Sequence, residues 1–292
     1  MSAQSLDDPS RVASISAAHR PWVIVGCGYT GTYLARALLA RGTPLTITRR
    51  TADSSAAIAQ QLRAEFPAAT IDALVFNVES PDALDQYDAE NSVVVVSAPP
   101  GRDPAREIRD LPRCHKLVYL SSTGVYGRGN GALVDESWPT EPLSATGIAR
   151  LAAESALADR SEPTVALRIA GIHGPGRGIA DRIKAGTYRI VGDGTAHVSR
   201  IHVEDLARAI IAAGDSDITG PINIADDDPA PIGVVADAIA QALGMPPPVR
   251  TPVEQVTPEV AAMLTADRRI SNARMKSMGV TLAYPSWRSM LG

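Results

Sequence analysis

Two stretches of this chain carry residues whose types and spacing could do chemistry. The first is Gly26-Cys27-Gly28-Tyr29-Thr30-Gly31, a G-x-G-x-x-G between an apolar run and a helical pattern. In such a turn the first glycine permits the bend, the second lets the backbone approach a diphosphate, and the third brings helix and strand close together. The following helix offers unsatisfied N–H groups and its positive dipole end to that anion. All six residues, Cys27, Tyr29 and Thr30 included, are therefore expected to line a dinucleotide.

The end of the next apolar run indicates which dinucleotide. NAD sites place an Asp or Glu about twenty residues after the glycines, where it accepts from the ribose 2′-hydroxyl. This chain has Thr48-Arg49-Arg50 there and no carboxylate. Two guanidiniums suit a 2′-phosphate through bidentate, charge-assisted bonds, so NADP is the expected cofactor and NAD the alternative. Asn77, closing the third run, is placed to meet the adenine. Ser97-Ala98-Pro99, closing the fourth, is placed along the diphosphate and ribose.

The second stretch is Leu143-Ser144-Ala145-Thr146-Gly147-Ile148-Ala149-Arg150. Thr146 and Arg150 are four apart, so a hydroxyl and a guanidinium share one helical face. A threonine hydroxyl is far too weak an acid for proton transfer near neutral pH, and arginine stays protonated. The pair can bind and orient, but it cannot exchange protons.

The elements that must position these residues alternate. WVIVG (22–26), LTITR (45–49), TIDALVFN (70–77), SVVVVSAP (92–99), KLVYLSS (116–122) and TVALRIAGI (164–172) read as strands, with Ala-rich helical patterns between several of them. Strands apolar on both faces belong to a parallel sheet covered on both sides, and parallel connections are right-handed crossovers. Beyond Gly174 the texture changes to a hairpin over 188–201, helices over 203–214 and 232–244, and a short strand over 222–225. The expected organisation is a leader over 1–20, a dinucleotide-binding core over 21–174, and a mainly C-terminal substrate lobe over 175–292 with some elements returning to the core.

Bulk properties narrow the classes. The 292 residues carry 45% hydrophobic and 21% charged side chains, a globular balance. A net charge of −4 argues against nucleic-acid or anionic-membrane surfaces. No apolar run approaches the roughly 20 residues that span a bilayer, and the first twenty residues lack the apolar core of a secretory signal. Two cysteines give no disulfide framework, consistent with a cytoplasmic location. The consecutive carboxylates Asp226-Asp227-Asp228 point apart, so no metal is expected.

Three further blocks follow the glycine turn in order. They are Leu120-Ser121-Ser122-Thr123-Gly124-Val125-Tyr126-Gly127, the run from Leu167 to Gly176, and Arg200-Ile201-His202-Val203-Glu204-Asp205-Leu206-Ala207. From about Trp22 to the Ser271–Gly279 region the chain resembles the extended branch of the short-chain dehydrogenase/reductase superfamily, the NAD-dependent epimerase/dehydratase proteins that act on nucleotide sugars. The resemblance implies an α/β, Rossmann-type doubly wound parallel sheet with a small C-terminal α/β substrate lobe. It places the substrate-oxygen-binding serine at Ser122, and the family's catalytic Tyr and Lys fall on Thr146 and Arg150.

The reactive couple is thus replaced. The expected catalytic set is Ser122 and Thr146 with neighbouring Tyr126, while Arg150 holds the cofactor. Ser121, Ile169 and Ile172 are expected beside the nicotinamide, and His173, Arg200 and His202 in the substrate cleft. His202 has a second reading, ordering the turn before a helix that starts with Glu204 and Asp205. Thr123-Gly124 stands where related dehydratases carry Asp-Glu, which argues against 4,6-dehydration. Gly-Cys-Gly-Tyr-Thr-Gly, Ser271-Asn272-Ala273-Arg274 and Tyr284-Pro285-Ser286-Trp287 resemble an atypical subgroup that often lacks the Tyr-Lys pair.

Two functions follow as expectations. One is an NADP-binding oxidoreductase or epimerase-like protein acting on a small hydroxyl or carbonyl compound, with nucleotide-sugar-like molecules among the candidates. The other is a non-catalytic NADP(H)-binding regulatory or sensor protein. A homodimer is what the resemblance implies.

Overall fold

The computed structural model describes residues 20–77 and 89–291, so the expected leader lies outside the described residues save for Arg20. The chain runs β1 (Trp22–Val25), α1 (Tyr29–Ala40), β2 (Leu45–Arg49), α2 (Ala52–Glu65), β3 (Ile71–Val75), β4 (Val93–Val96), α3 (Pro104–Arg109) and β5 (Lys116–Ser122). It continues with β6 (Leu133–Val134), α4 (Ala145–Ala156), β7 (Thr164–Ile169), β8 (Gly171–His173), α5 (Ile179–Lys184), β9 (Arg189–Val191), β10 (His197–Val198) and β11 (Arg200–His202). Then come α6 (Val203–Asp215), β12 (Gly220–Ile224), β13 (Ala230–Pro231), α7 (Ile232–Ala242), β14 (Val249–Thr251), α8 (Pro258–Leu264), β15 (Arg269–Ile270) and α9 (Ala273–Ser277).

Seven strands form one parallel sheet in the order β12-β7-β5-β4-β1-β2-β3. The order reverses between β1 and β4, the switch point of a doubly wound Rossmann sheet. Strand alternation divides the core. Trp22 and Ile24 face one hydrophobic layer with α1 and α6, while Val23 and Val25 face the other with α3 and α4. Every residue of β1 is buried, which is why its sequence reads as an unbroken apolar run. Helix starts are fixed by side chains: Thr51, Asp103 and Ser144 accept N–H bonds at the first turns of α2, α3 and α4.

One expectation about the C-terminal region is corrected. The hairpin over 188–201 does not form. Instead β9 pairs with β14, β10 with β13 and β11 with β8. The Gly192-Asp193-Gly194 turn splays the two arms: Gly192 adopts a left-handed φ of 79°, and the Asp193 carboxylate accepts both the N–H and the hydroxyl of Thr195. The short strand over 222–225 lies in the core. As β12 it is an edge strand of the central sheet, with Ile222 beside Leu167 and Ile224 beside Ile169. Helix α6 joins the core with it, and Gly214 lets it close on Trp22, where a Cβ would stand 2.7 Å from Cζ2. A separate small cluster, including Ile179, Ile190, Val235, Ile239 and Trp287, holds α5, β9 and α7 together above the sheet edge. Among the described residues no helix is long and apolar enough to cross a membrane.

Candidate functional site

The parallel sheet puts the C-terminal ends of its strands along one edge, and the strand order sets the order of the residues there. From β2 through β1, β4 and β5 to β7 the edge presents Arg49, Gly26–Gly28, Ser97–Pro99, Ser122–Thr123 and Ala170–His173. Ligands of open α/β sheets bind at this edge, at the switch point.

The glycine turn fits a diphosphate. Gly26 has a left-handed φ of 81°, and a Cβ on it would stand 2.8 Å from the Ala98 backbone, so only glycine lets β1 and β4 end this close together. A Cβ on Gly31 would meet Ile24 Cγ2 at 3.2 Å, the close helix–strand contact read from the sequence. Around Gly28 space is open, with only the Gly26 carbonyl at 3.9 Å. α1 begins with no capping side chain and no acidic residue in its first turn, leaving its N–H groups to an anion. The turn itself is fixed from β2: the Thr48 hydroxyl accepts from Gly26 N–H at 3.1 Å, and the Thr48 carbonyl from Cys27 N–H at 2.9 Å.

Cys27 is fully buried, and burial pushes its thiol up to about 11, so it serves the turn as a small apolar residue. Tyr29 reaches across the cleft mouth, donating to the Pro175 carbonyl at 3.1 Å beneath the Arg177 guanidinium. Thr30 is buried in the first turn of α1. At the end of β2, the Arg49 Nε is buried with no hydrogen-bond partner among the described residues, and Arg50 is exposed. An unpartnered guanidinium nitrogen beside the glycine turn is what a 2′-phosphate would complete. Asn77 is half-buried just beyond β3.

Beyond β5 the chain makes a single turn of 3-10 helix over Thr123–Val125, and Ser122 caps it by accepting from Gly124 N–H at 3.0 Å. Helix α4 is pressed onto this turn. A Cβ on Gly147 would stand 2.9 Å from Pro142 Cβ, and closer still to the Gly124 carbonyl oxygen. Thr146 is exposed beside Gly147, its hydroxyl 3.1 Å from that of Ser144. Arg150 bends back to the Leu120 carbonyl, with its guanidinium 5.6 Å from the Tyr119 ring centroid.

Two expected site residues belong instead to a buried network. Tyr126 is wholly inaccessible; its hydroxyl donates to Asn223 Oδ1 at 2.7 Å and accepts from Arg168 Nη1 at 3.0 Å. Burial also raises its pKa, so the expected catalytic phenol is a structural one. Ser121 likewise gives its hydroxyl to Glu154, which Arg168 grips from the other side at 2.8 Å. Ile169 is in the core, while Ile172 lines the cleft. Glu136 turns inward and accepts from the Asn223 N–H at 2.8 Å.

The cleft, about 500 Å³ in volume, opens between Thr123, β8, β11 and the lobe. His173 and Arg200 line it. Burial first, then neighbouring His202 and Arg200, push His173 down to about 4, so it is neutral at physiological pH. Its Nε2 is buried and unpartnered. His202 lies edge-on to His173, stacks on Tyr284 at 3.6 Å, and accepts from Glu204 N–H, so it orders the start of α6 as its second reading has it.

The sequence reading missed His197 and Asp267, whose Nδ1 and Oδ1 are 2.8 Å apart at the cleft wall. No motif marks them, because they are 70 positions apart and Asp267 sits in the left-handed region with φ 51°. Arg268 was missed too. It ties the cleft to the Ser122 loop by donating to the Thr123 and Tyr126 carbonyls at 2.8 and 2.7 Å. The three consecutive aspartates turn to different partners: Asp226 to Asp228 N–H, Asp227 to Lys276, and Asp228 to Arg288.

Comparison with known proteins agrees with this geometry. The profile of the NAD dependent epimerase/dehydratase family matches residues 105–225. Protein YeeZ of Escherichia coli strain K12 is 31% identical over 237 residues, which cover 77% of this chain and 84% of that protein. A 3-diazoavenalumate denitrifying reductase of a Streptomyces species is 32% identical over 170 residues, and the match spans about half of each chain, 54%. A solved structure of a functionally unknown conserved protein from Silicibacter pomeroyi DSS superposes with a TM-score of 0.73 at 31% identity, covering 93% of this chain and 96% of the other.

Proposed function

Because the chain belongs to the NAD-dependent epimerase/dehydratase family, whose members are NAD(P)-dependent, we propose that it is an NADP-dependent reductase of a small carbonyl compound. The observation that carries this reading is the track along the sheet edge. A buried unpartnered arginine nitrogen, an open glycine turn and the Ser122 loop lie in strand order and lead into one cleft.

Arg49 and Arg50 hold the 2′-phosphate, and the N–H groups of the turn hold the diphosphate. When bound, NADPH supplies hydride. Ser122 offers a hydroxyl to the substrate oxygen, and the α4 start behind it, locked by Gly147, keeps that hydroxyl in place. Thr146 cannot act as the acid. The cleft wall instead carries His197 with Asp267, whose carboxylate accepts from Nδ1–H and supports the imidazolium, which hands its Nε2 proton to the substrate oxygen. The carbonyl gains hydrogen at carbon and at oxygen, and the imidazole is reprotonated from water.

The reductase name of the Streptomyces relative supports hydride chemistry in this subgroup. The test is NADPH consumption against a panel of aldehydes, ketones and nucleotide sugars. Turnover that falls at least tenfold in His197→Asn, with NADPH affinity unchanged, is the expected result. Tight NADPH binding with no turnover across the panel would instead select a sensor protein.

A further inference from the structure

We propose that the substrate taken by this cleft is a carboxylic acid with a largely apolar body, its carboxylate seated on Arg200. The proposal deepens the reductase reading and rests on it only for the cleft being the substrate site.

Strand β11 alternates. Ile201 is fully buried in the sheet's hydrophobic layer, and Arg200 and His202 point the other way. Opposite Arg200 in β8 stands Gly171, whose place beside the Arg200 stem (a Cβ there would lie 3.8 Å from Cγ, an ordinary contact) leaves the stem uncrowded. Arg200 is 8% exposed, lines the cleft, and its Nη1 is buried without a hydrogen-bond partner among the described residues. Leaving a buried guanidinium nitrogen unpaired forfeits its hydration with nothing in return. Such a cost persists where a ligand removes it.

The neighbouring charges do not. Asp226 passes its backbone N–H to the Arg200 carbonyl, but no side-chain bond joins the two, and burial pushes the Asp226 carboxyl up to about 7. The rest of the wall is cationic as well: Arg177, Arg182 and Arg189 stand exposed at the rim, and the single carboxylate lining the cleft, Asp267, is taken up by His197. A pocket of one charge sign concentrates anions.

The deep end holds one unpaired guanidinium, and a guanidinium fork matches one planar carboxylate. A nucleoside diphosphate has two linked anionic centres, and another arginine of the wall, Arg268, is already committed to two backbone carbonyls. Between these polar points the wall is aliphatic, with Ile172, Ile179, Ile190, Ile232, Met263 and Leu264. That surface suits an apolar body between acid and carbonyl. The buried His173 Nε2 gives the ligand a second polar contact beside Arg200.

The probes are trans-cinnamate, its uncharged amide, and UDP, titrated by calorimetry into the full chain with and without NADPH. Cinnamate is expected to bind at least tenfold more tightly than the amide, the range of one charged hydrogen bond. Arg200→Met should bring that ratio close to one, and Arg200→Lys should keep part of it. The ratio in the unmodified protein carries the test even if Arg200→Met does not fold. Equal binding of acid and amide, or an acid preference that survives Arg200→Met, overturns the proposal. So does UDP binding more tightly than cinnamate through Arg200. NADPH is titrated in the same samples: its failure to bind while cinnamate still requires Arg200 would remove the reductase reading and leave the acid site standing.

Discussion

Gly147, in the first turn of α4, packs directly on the carbonyl oxygen of Gly124, two residues beyond Ser122. This contact sets the distance between the helix that carries Thr146 and Arg150 and the loop that follows Ser122. A methyl group there meets backbone on one side and Pro142 on the other, and neither yields easily. Gly147→Ala is therefore expected to lose about 1–3 kcal/mol by overpacking. Thermal unfolding measures the loss, and no change in melting temperature would show that the contact is loose.

Under the same loop, Arg168 and Glu154 form an ion pair with both side chains under 10% exposed, at 8% and 7%. Arg168 also holds Tyr126, and Glu154 holds Ser121. Removing one partner leaves a buried charge alone, which costs about 3–5 kcal/mol, whereas replacing both with apolar residues costs far less. Arg168→Met alone should be much less stable in urea than Arg168→Met with Glu154→Leu. A double variant no better than the single would show that the charges are not coupled.

The pH dependence of stability has one clear contributor. Burial raises the Asp226 carboxyl from the ordinary 3.8 to about 7. The folded state thus prefers the protonated form. Its contribution is complete below about pH 4 and is lost as pH rises through about 7. Asp226→Asn keeps an oxygen for the Asp228 N–H and removes the charge. The variant should match the parent near pH 4 and exceed it above pH 7, by an amount on the order of a few kcal/mol. Parallel pH–stability curves would contradict the assignment.

How much of this was legible in the sequence follows from which interactions are local. The glycine turn, the alternating strands and the Thr146–Arg150 spacing involve neighbours in sequence, so motif and period revealed them. The false hairpin over 188–201 shows the limit. Its apolar pattern suits strands, but which strand each arm pairs with depends on partners such as Gly171 and Val249, which lie far off in the chain. Tyr126 misled for a related reason: a phenol beside Ser122 invites a catalytic reading until Asn223 and Arg168, 97 and 42 positions away, are seen to use its hydroxyl. The His197–Asp267 couple and the unpartnered Arg200 exist only in three dimensions.

The replaced couple on α4 gives a comparison of its own. Thr146 is exposed and its hydroxyl meets that of Ser144, so Thr146→Ala should leave NADPH affinity unchanged. Arg150 is the cation nearest the family's lysine position, and its loss should weaken NADPH several-fold, of the size of one partly screened charged contact. Calorimetry with both variants decides, and the reverse order would contradict the roles assigned to this pair.

The central claim is that the sheet edge holds a 2′-phosphorylated dinucleotide through Arg49 and Arg50. The most direct measurement is the ratio of NADH to NADPH dissociation constants in the unmodified protein and in Arg49→Ala with Arg50→Ala. NADPH is expected to bind at least tenfold more tightly, and the double substitution to collapse this preference while NADH affinity stays nearly constant. Equal affinities in the unmodified protein, or a preference that survives loss of both arginines, would contradict it.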